Sequence, residues 1–261
     1  MKIRTGTLAE LKAKGQKFAC LTSYDHQTAA IFDQAGIEVL LVGDSASNAV
    51  LGNRDTLPVT LEEMLVFGRA VSSAAKSALV VLDLPFGSYE VSAEQALESG
   101  ILAMKQAGVA AVKLEGARID QIKALVGASI PVMGHVGFTP QSVHALSGYK
   151  VQGRDEQNAT RIKQECLAIE AAGAFAIVLE MVPAKLAEEI SKELTIPTIG
   201  IGAGVGCDAQ ILVWTDFAGL DTRSPSFSKQ YLNLRELLAK AASDYAAEVR
   251  AGEFPTADHS F

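Results

Sequence analysis

Three stretches of this chain share one grammar. Residues 34–44 read QAGIEVLLVGD, residues 106–116 read QAGVAAVKLEG, and residues 171–181 read AAGAFAIVLEM. Each opens with Ala-Gly, the mark of a helix end where glycine takes a left-handed conformation that a Cβ would penalise. Each continues as a short apolar run without polar alternation, as a parallel strand covered on both faces requires. Each then reaches an acid: Asp44, Glu115 or Glu180. A unit of helix end, buried strand and acid points to a parallel sheet wrapped in helices.

The rest of the 261 residues keeps the same rhythm. Strands are predicted over 18–22, 39–42, 79–82, 111–114, 132–134, 176–179, 198–201 and 211–213. Helices are predicted between most of them. The stretch 60–76 opens with Thr60 as N-cap and acids in the first turn. The stretch 92–106 opens SAEQ, a capping box. Helices over 156–172 and 183–194 follow, the latter with Pro183 at its first position. A long helix closes the chain near 229–250. Eight alternating strand–helix units in a chain of this length fit a single (β/α)8 barrel. An open doubly wound sheet is the alternative, but it carries a glycine-rich turn after its first strand, and LTSYDHQ is not one. No linker or composition break interrupts the chain, which is therefore read as one domain over residues 1–261.

Composition narrows the function classes. A formal net charge of −7 argues against a nucleic-acid binder, which needs a basic face. It leaves anionic small molecules open, because a bound metal reverses the local field. No apolar run reaches the ~18 residues of a membrane span. The opening MKIRTGTLAELKAKGQKF has no apolar core of a secretory signal. Three scattered cysteines, Cys20, Cys166 and Cys207, do not make a disulfide framework. A cytoplasmic protein with reduced thiols is expected.

In a barrel of this kind the chemistry gathers at the carboxyl ends of the strands. The residues there are Ser23, Tyr24 and Asp25, then Asp44 and Ser45, Asp83, Lys113 with Glu115, His135, and Glu180. Lys113 and Glu115 are two apart and share a strand face. Converging carboxylates repel unless a proton or cation joins them. Asp44, Asp83 and Glu115 are hard oxygen donors from neighbouring strands, a set that suits Mg2+ or another divalent cation. Each residue also has a plainer reading. A strand-end Asp caps the next helix, Lys113 and Glu115 form a structural ion pair, His135 is a satisfied core histidine, and Glu180 accepts N–H groups of its own loop. The glycine-rich IGIGAGVG at 199–206 can present N–H groups to an anion or simply allow close approach. Cys207, with no basic partner in sequence, is read as a loop residue rather than a nucleophile.

Taken in order, VGDS at 42–45, TLPVT at 56–60, DLPF at 83–86, VKLEG at 112–116, GHVGFTPQS at 134–142, GYKVQGR at 148–154, LEMVP at 179–183 and IGIGAG at 199–204 resemble the ketopantoate (3-methyl-2-oxobutanoate) hydroxymethyltransferase family. The resemblance implies a TIM barrel of the phosphoenolpyruvate/pyruvate superfamily. It implies transfer of a hydroxymethyl group from 5,10-methylenetetrahydrofolate to 3-methyl-2-oxobutanoate, giving 2-dehydropantoate in pantothenate biosynthesis. By the same resemblance Asp44, Asp83 and Glu115 attend Mg2+, and Asp44, Ser45, Asp83 and Lys113 meet the oxo acid. Glu180 matches the proton acceptor, and His135 is placed within reach of the substrate or of a water on the metal. Members commonly form homodecamers. The chain departs from the family where Ala46-Ser47-Asn48 stands in place of Leu-Gly-Met, and where Thr215-Asp216 stands in place of His-Asp.

Two other readings compete. One is a lyase using the same metal–enolate site; such enzymes carry a KKCGH loop, which this chain lacks. The other is a non-catalytic oxo-acid or metal binder, which would call for a broken constellation of site residues.

Overall fold

A computed structural model describes residues 2–222 and 224–261. The chain divides into two compact units, one ending at Val213 and one spanning Trp214–Phe261. All eight strands lie in the first unit: β1 Phe18–Thr22, β2 Val39–Val42, β3 Leu79–Asp83, β4 Ala111–Lys113, β5 Val132–Gly137, β6 Ala176–Glu180, β7 Thr198–Ile201 and β8 Ala209–Leu212. They pair in sequence order, all parallel, and β8 closes back onto β1. The predicted (β/α)8 barrel is thus the observed one. β2, β3 and β4 are buried at every position, as apolar runs without alternation demand.

Helices alternate with the strands because their ends are marked locally. Leu61–Ala74 starts from Thr60, whose hydroxyl accepts from the Glu63 N–H while Glu63 reaches back to the Thr60 N–H. The helix after Ser92 keeps only half of its predicted box. Ser92 caps Gln95, but the Gln95 side chain turns to the Val91 N–H and the Gly87 carbonyl. That helix, Ala93–Leu102, widens into a π turn over Ala103–Ala107. Pro183 is the N-cap of Ala184–Glu193 rather than its first helical residue. The predicted helix ends at Gly36, Gly108 and Gly173 all carry positive φ, at 87°, 68° and 99°.

Strand ends differ from the apolar runs in an informative way. β3 runs on to Asp83, β5 to Gly137 and β6 to Glu180, since ladder hydrogen bonds do not stop where apolar residues do. β8 begins two residues earlier than its apolar signal because Ala209 pairs with Phe18 of β1. Helix Thr5–Ala13, preceding β1, has almost no one-sided apolar pattern and was not foreseen.

In the second unit, the long helix runs Leu234–Ala251 rather than from 229. The N–H groups of Tyr231 and Leu234 donate to the carbonyls of Phe217 and Ala218, which sets its start by contact rather than propensity. No helix among the described residues is long and apolar enough to cross a membrane.

Candidate active site at the carboxyl ends of the strands

β3 and β4 pair with Asp83 directly opposite Lys113. This register puts the Lys113 ammonium against both Asp83 oxygens, at 2.6 and 2.7 Å. Both side chains are almost fully buried, at 4% and 2% exposed. Glu115, two residues beyond Lys113 and equally buried, holds its Oε1 3.9 Å from the same ammonium. The two side chains do come together as their spacing suggested, although Glu115 lies beyond the end of β4, and Lys113 takes its nearer partner from the neighbouring β3.

β5 and β6 complete the acidic rim. His135 stands between two carboxylates, its Nδ1 3.4 Å from Glu115 Oε1 and its Nε2 3.4 Å from Glu180 Oε2. Neither ring nitrogen makes a well-formed hydrogen bond, nor does Glu115 Oε1. His135 is thus not a satisfied core histidine. Glu180 is the last residue of β6, opposite Gly137. A Cβ at Gly137, whose φ is 96°, would meet the Glu180 carbonyl at 2.2 Å, so only glycine lets β5 pass there. Glu180 is followed by Met181 at φ 48°, an uncommon conformation for a side-chain-bearing residue. The turn is held by the Met181 N–H on the Ile201 carbonyl and by the Gln152 N–H on the Met181 carbonyl. The Glu180 side chain keeps 15% of its surface exposed, while those of Asp83 and Glu115 keep 2%.

β2 contributes Asp44 and Ser45. The Asp44 N–H points at Asp83 Oδ2, 3.4 Å away, which brings β2 and β3 acids together. Ser45 opens the four-residue helix Ala46–Ala49, and its hydroxyl shares a 2.7 Å hydrogen bond with Tyr24. Two residues not singled out from sequence knit this side. Gln141 lies in the quoted GHVGFTPQS stretch, and its amide nitrogen donates to Asp44 Oδ2. Tyr89, which no sequence signal marked, donates to Gln141 and accepts the Glu115 N–H.

The charges do not balance. Four acids, Asp44, Asp83, Glu115 and Glu180, face one lysine and one histidine, so with all four ionised negative charge is in surplus even when His135 is protonated. Burial pushes Asp83 up, Lys113 pulls it back, and Asp44 and Glu115 raise it again, to about 7. Burial likewise raises Glu115, against the pull of His135 and Lys113. Burial would lower Lys113, but Asp83, Glu115 and Asp44 outweigh it and hold the ammonium above its usual range. Burial and Lys113 push His135 down, yet Glu115 and Glu180 win, leaving it at about 9.

Among the described residues, no three His, Cys, Asp or Glu side chains form a ready cage for a metal ion. The donor set nevertheless fits a hard divalent cation. It offers buried carboxylates, an excess of negative charge, and in Glu115 Oε1 a buried oxygen without a hydrogen bond. Mg2+ needs only one or two protein carboxylates and fills its remaining positions with water or substrate.

Other strand-end candidates take the plainer role. Asp25 caps helix His26–Gln34 through the Thr28 N–H and hydroxyl. In the 199–206 turn, a Cβ at Gly204 would meet Ala184 at 2.4 Å and one at Gly206 would meet Glu188 at 2.6 Å. Those glycines serve close packing on the Ala184–Glu193 helix. Cys207 is buried, and burial pushes its thiol up, which suits a packing role and not a nucleophile. Cys20 and Cys166 are buried free thiols as well.

Solved structures share this architecture. A phosphonopyruvate hydrolase, solved with oxalate and Mg++, superposes with a TM-score of 0.63 at 15% identity, covering 98% of this chain and 93% of that one. A 2,3-dimethylmalate lyase, described as a member of the PEP mutase/isocitrate lyase superfamily, gives 0.58 at 17% identity, covering 98% and 90%. At such identities the likeness establishes the fold alone, a TIM barrel. Sequence relatives are much nearer. A protein from Saccharopolyspora erythraea named 3-methyl-2-oxobutanoate hydroxymethyltransferase is 57% identical over 263 residues, covering 100% of this chain and 89% of that protein. One of the same name from Thermobifida fusca is 54% identical over 262 residues, covering 100% and 94%. The sequence pattern that defines ketopantoate hydroxymethyltransferases matches residues 2–257, nearly the whole length, and the chain belongs to that family of transferases.

Proposed function

We propose that this enzyme moves a hydroxymethyl group from 5,10-methylenetetrahydrofolate to 3-methyl-2-oxobutanoate, forming 2-dehydropantoate for pantothenate biosynthesis. The observation that carries the reading is the arrangement of Lys113, His135 and Glu180 around a buried surplus of acids, in a chain of this family. The oxo acid is an anion with a keto group beside a weakly acidic C–H. Ser45 and Lys113 bind and orient it, and the Lys113 ammonium lies where negative charge grows on the keto oxygen. Glu180, the most exposed of these acids, removes the proton from C3. His135, its Nε2 3.4 Å from Glu180 Oε2 and not committed to a hydrogen bond, is left to bind the substrate or a water on the cation. The carbon nucleophile forms a bond to the one-carbon unit of the folate, water supplies the hydroxyl oxygen, and the C–N bonds break to release tetrahydrofolate, whose nitrogens take up the protons. Asp44 and Asp83, with Glu115, would hold a divalent cation, Mg2+ in the first instance. When bound, that cation supplies Lewis-acid polarisation of the keto acid and makes an anionic substrate welcome in an acidic pocket.

We infer further that the enzyme works in the cytoplasm as a homodecamer. The exposed Leu237, Leu238, Tyr245 and Val249 of helix Leu234–Ala251 supply apolar surface for such an assembly to cover.

One assay separates the readings. Protein, Mg2+, oxo acid and methylenetetrahydrofolate yield 2-dehydropantoate if the transferase reading holds. Exchange of the C3 proton with solvent, but no product, would instead favour a lyase-type enolisation. Binding with neither would favour a simple binder. Glu180→Gln is expected to keep oxo-acid binding and to lose exchange by about 100-fold or more, measured by NMR. Exchange at the native rate in that variant removes Glu180 from its role.

A further inference from the structure

The loop after β5 delivers one side chain into the acid cluster that no charge pattern announces. Gln141 is 6% exposed, and its backbone N–H, amide nitrogen and amide oxygen are all engaged. Its backbone N–H donates to Glu115 Oε2 at 3.0 Å. Its amide nitrogen donates to Asp44 Oδ2 and to the Leu84 carbonyl, both at 3.0 Å. Its amide oxygen accepts from the Tyr89 hydroxyl. One residue thereby joins the ends of β2, β3 and β4 from the end of β5.

The direction of each hydrogen bond in this chain is determined. The Tyr89 oxygen accepts the Glu115 N–H, so the hydroxyl proton is free for Gln141 Oε1. Oε1 must then be the acceptor, and the amide cannot flip without losing that bond. Nε2 is left to face Asp44, with its second proton on Leu84. Gln141 consequently occupies one oxygen of Asp44 and one of Glu115, and leaves the other oxygen of each for a ligand. A neutral carboxamide does this without cancelling charge. A lysine or arginine here would orient the same acids but would compete with any cation they are meant to hold.

We propose that Gln141, clamped by Tyr89, is a positioning residue that presents Asp44 and Glu115 to the divalent cation. This rests on the cation reading above and adds to it the group that aims the ligands. Partners of this kind, lying behind metal ligands, commonly change affinity by about 10–100-fold when removed.

The test is Mn2+ binding to the free protein, followed by electron paramagnetic resonance, with steady-state turnover alongside. Gln141→Met keeps length and volume but removes the donor. It is expected to weaken Mn2+ binding by about 10-fold or more, and its catalytic deficit at low Mn2+ should shrink as Mn2+ is raised. A role in packing alone would lower the melting temperature without moving the Mn2+ titration. Tyr89→Phe keeps the amide but frees it to flip, and should weaken Mn2+ in the same direction by less; it decides the matter if Gln141→Met does not fold. Wild-type affinity in a folded Gln141→Met, or in Tyr89→Phe where that variant decides, overturns the proposal and leaves the cation reading standing. A wild-type protein that binds no Mn2+ overturns both together, and is recognised by a flat titration before any variant is made.

Discussion

Lys12 and Lys113 both close on an aspartate inside one barrel, at opposite ends of its strands. At the amino end, Lys12 donates to the Ser191 and Ile196 carbonyls and to Asp208 Oδ2, at 2.8 to 2.9 Å, so each ammonium proton has an acceptor. The same Asp208 oxygen accepts the Thr198 N–H and hydroxyl. Asp33, near the same end, accepts the N–H groups of Lys76, Ser77 and Ala78. Burial works against the Asp33 charge, but those three bonds and the nearby Lys2 hold its carboxyl below the usual range. At the carboxyl end, Lys113 closes on Asp83, Glu115 and Glu180 share one histidine, and Asp44 has only a neutral amide on its Oδ2. Asp83 and Glu115 are pushed up there, the opposite direction to Asp33. A matched buried pair holds the fold together. A surplus of buried like charge is costly unless a ligand neutralises it, so it marks the end that binds something.

The sharpest way to break this contrast is to remove each lysine. Lys113→Met leaves Asp83 without its buried partner and His135 as the counter-charge of four acids, and should cost about 3–5 kcal/mol of stability as well as activity. Thermal unfolding with and without Mg2+ checks the mechanism, because the cation should restore part of the lost melting temperature. No recovery would mean that the carboxyl-end acids are not a cation site. Lys12→Met should cost less, about 2 kcal/mol, since its surroundings are partly solvated. Its melting temperature should not respond to Mg2+ any more than the native protein's, and turnover below the transition should persist. A Mg2+ rescue of Lys12→Met would erase the distinction between the two ends.

Asp33→Asn gives the smallest expected effect and the clearest pH signature. An amide replaces one acceptor oxygen with a donor facing a backbone N–H, a loss of about 1–2 kcal/mol near pH 7. Because the folded carboxyl lies below its unfolded value of about 3.9, its contribution is present above that value. It disappears as pH falls through the depressed folded value. Urea unfolding of both proteins from pH 7 downward should therefore converge in acid. A gap that stays constant to the lowest pH would assign Asp33 a role independent of its charge.

The barrel was legible because buried parallel strands cannot alternate, and runs such as VLLV at 39–42 announce them without help from neighbours. The acids were legible because each interrupts an apolar run at the same end. Asp25 shows the limit of that logic, since it has the same strand-end position and merely caps a helix. Gln141 and Tyr89 were missed for a different reason. A neutral glutamine or tyrosine in a loop looks like surface until its partners are known, and those partners lie just past the ends of three other strands. The 3-10 turn Pro140–Ser142 that carries Gln141 inward has no periodicity to read.

What the residue order determined alone was the class of fold and the side of it that is charged, because burial on two faces and an acid at the strand end are local properties. It could not say which charges pair. Lys113 lies two residues from Glu115, yet it closes on Asp83, thirty positions earlier. That choice follows from the register of β3 on β4, and the register follows from closing eight strands into one ring. Closure is a property of the whole barrel, so the spare acids, and with them the site, exist only once the last strand meets the first.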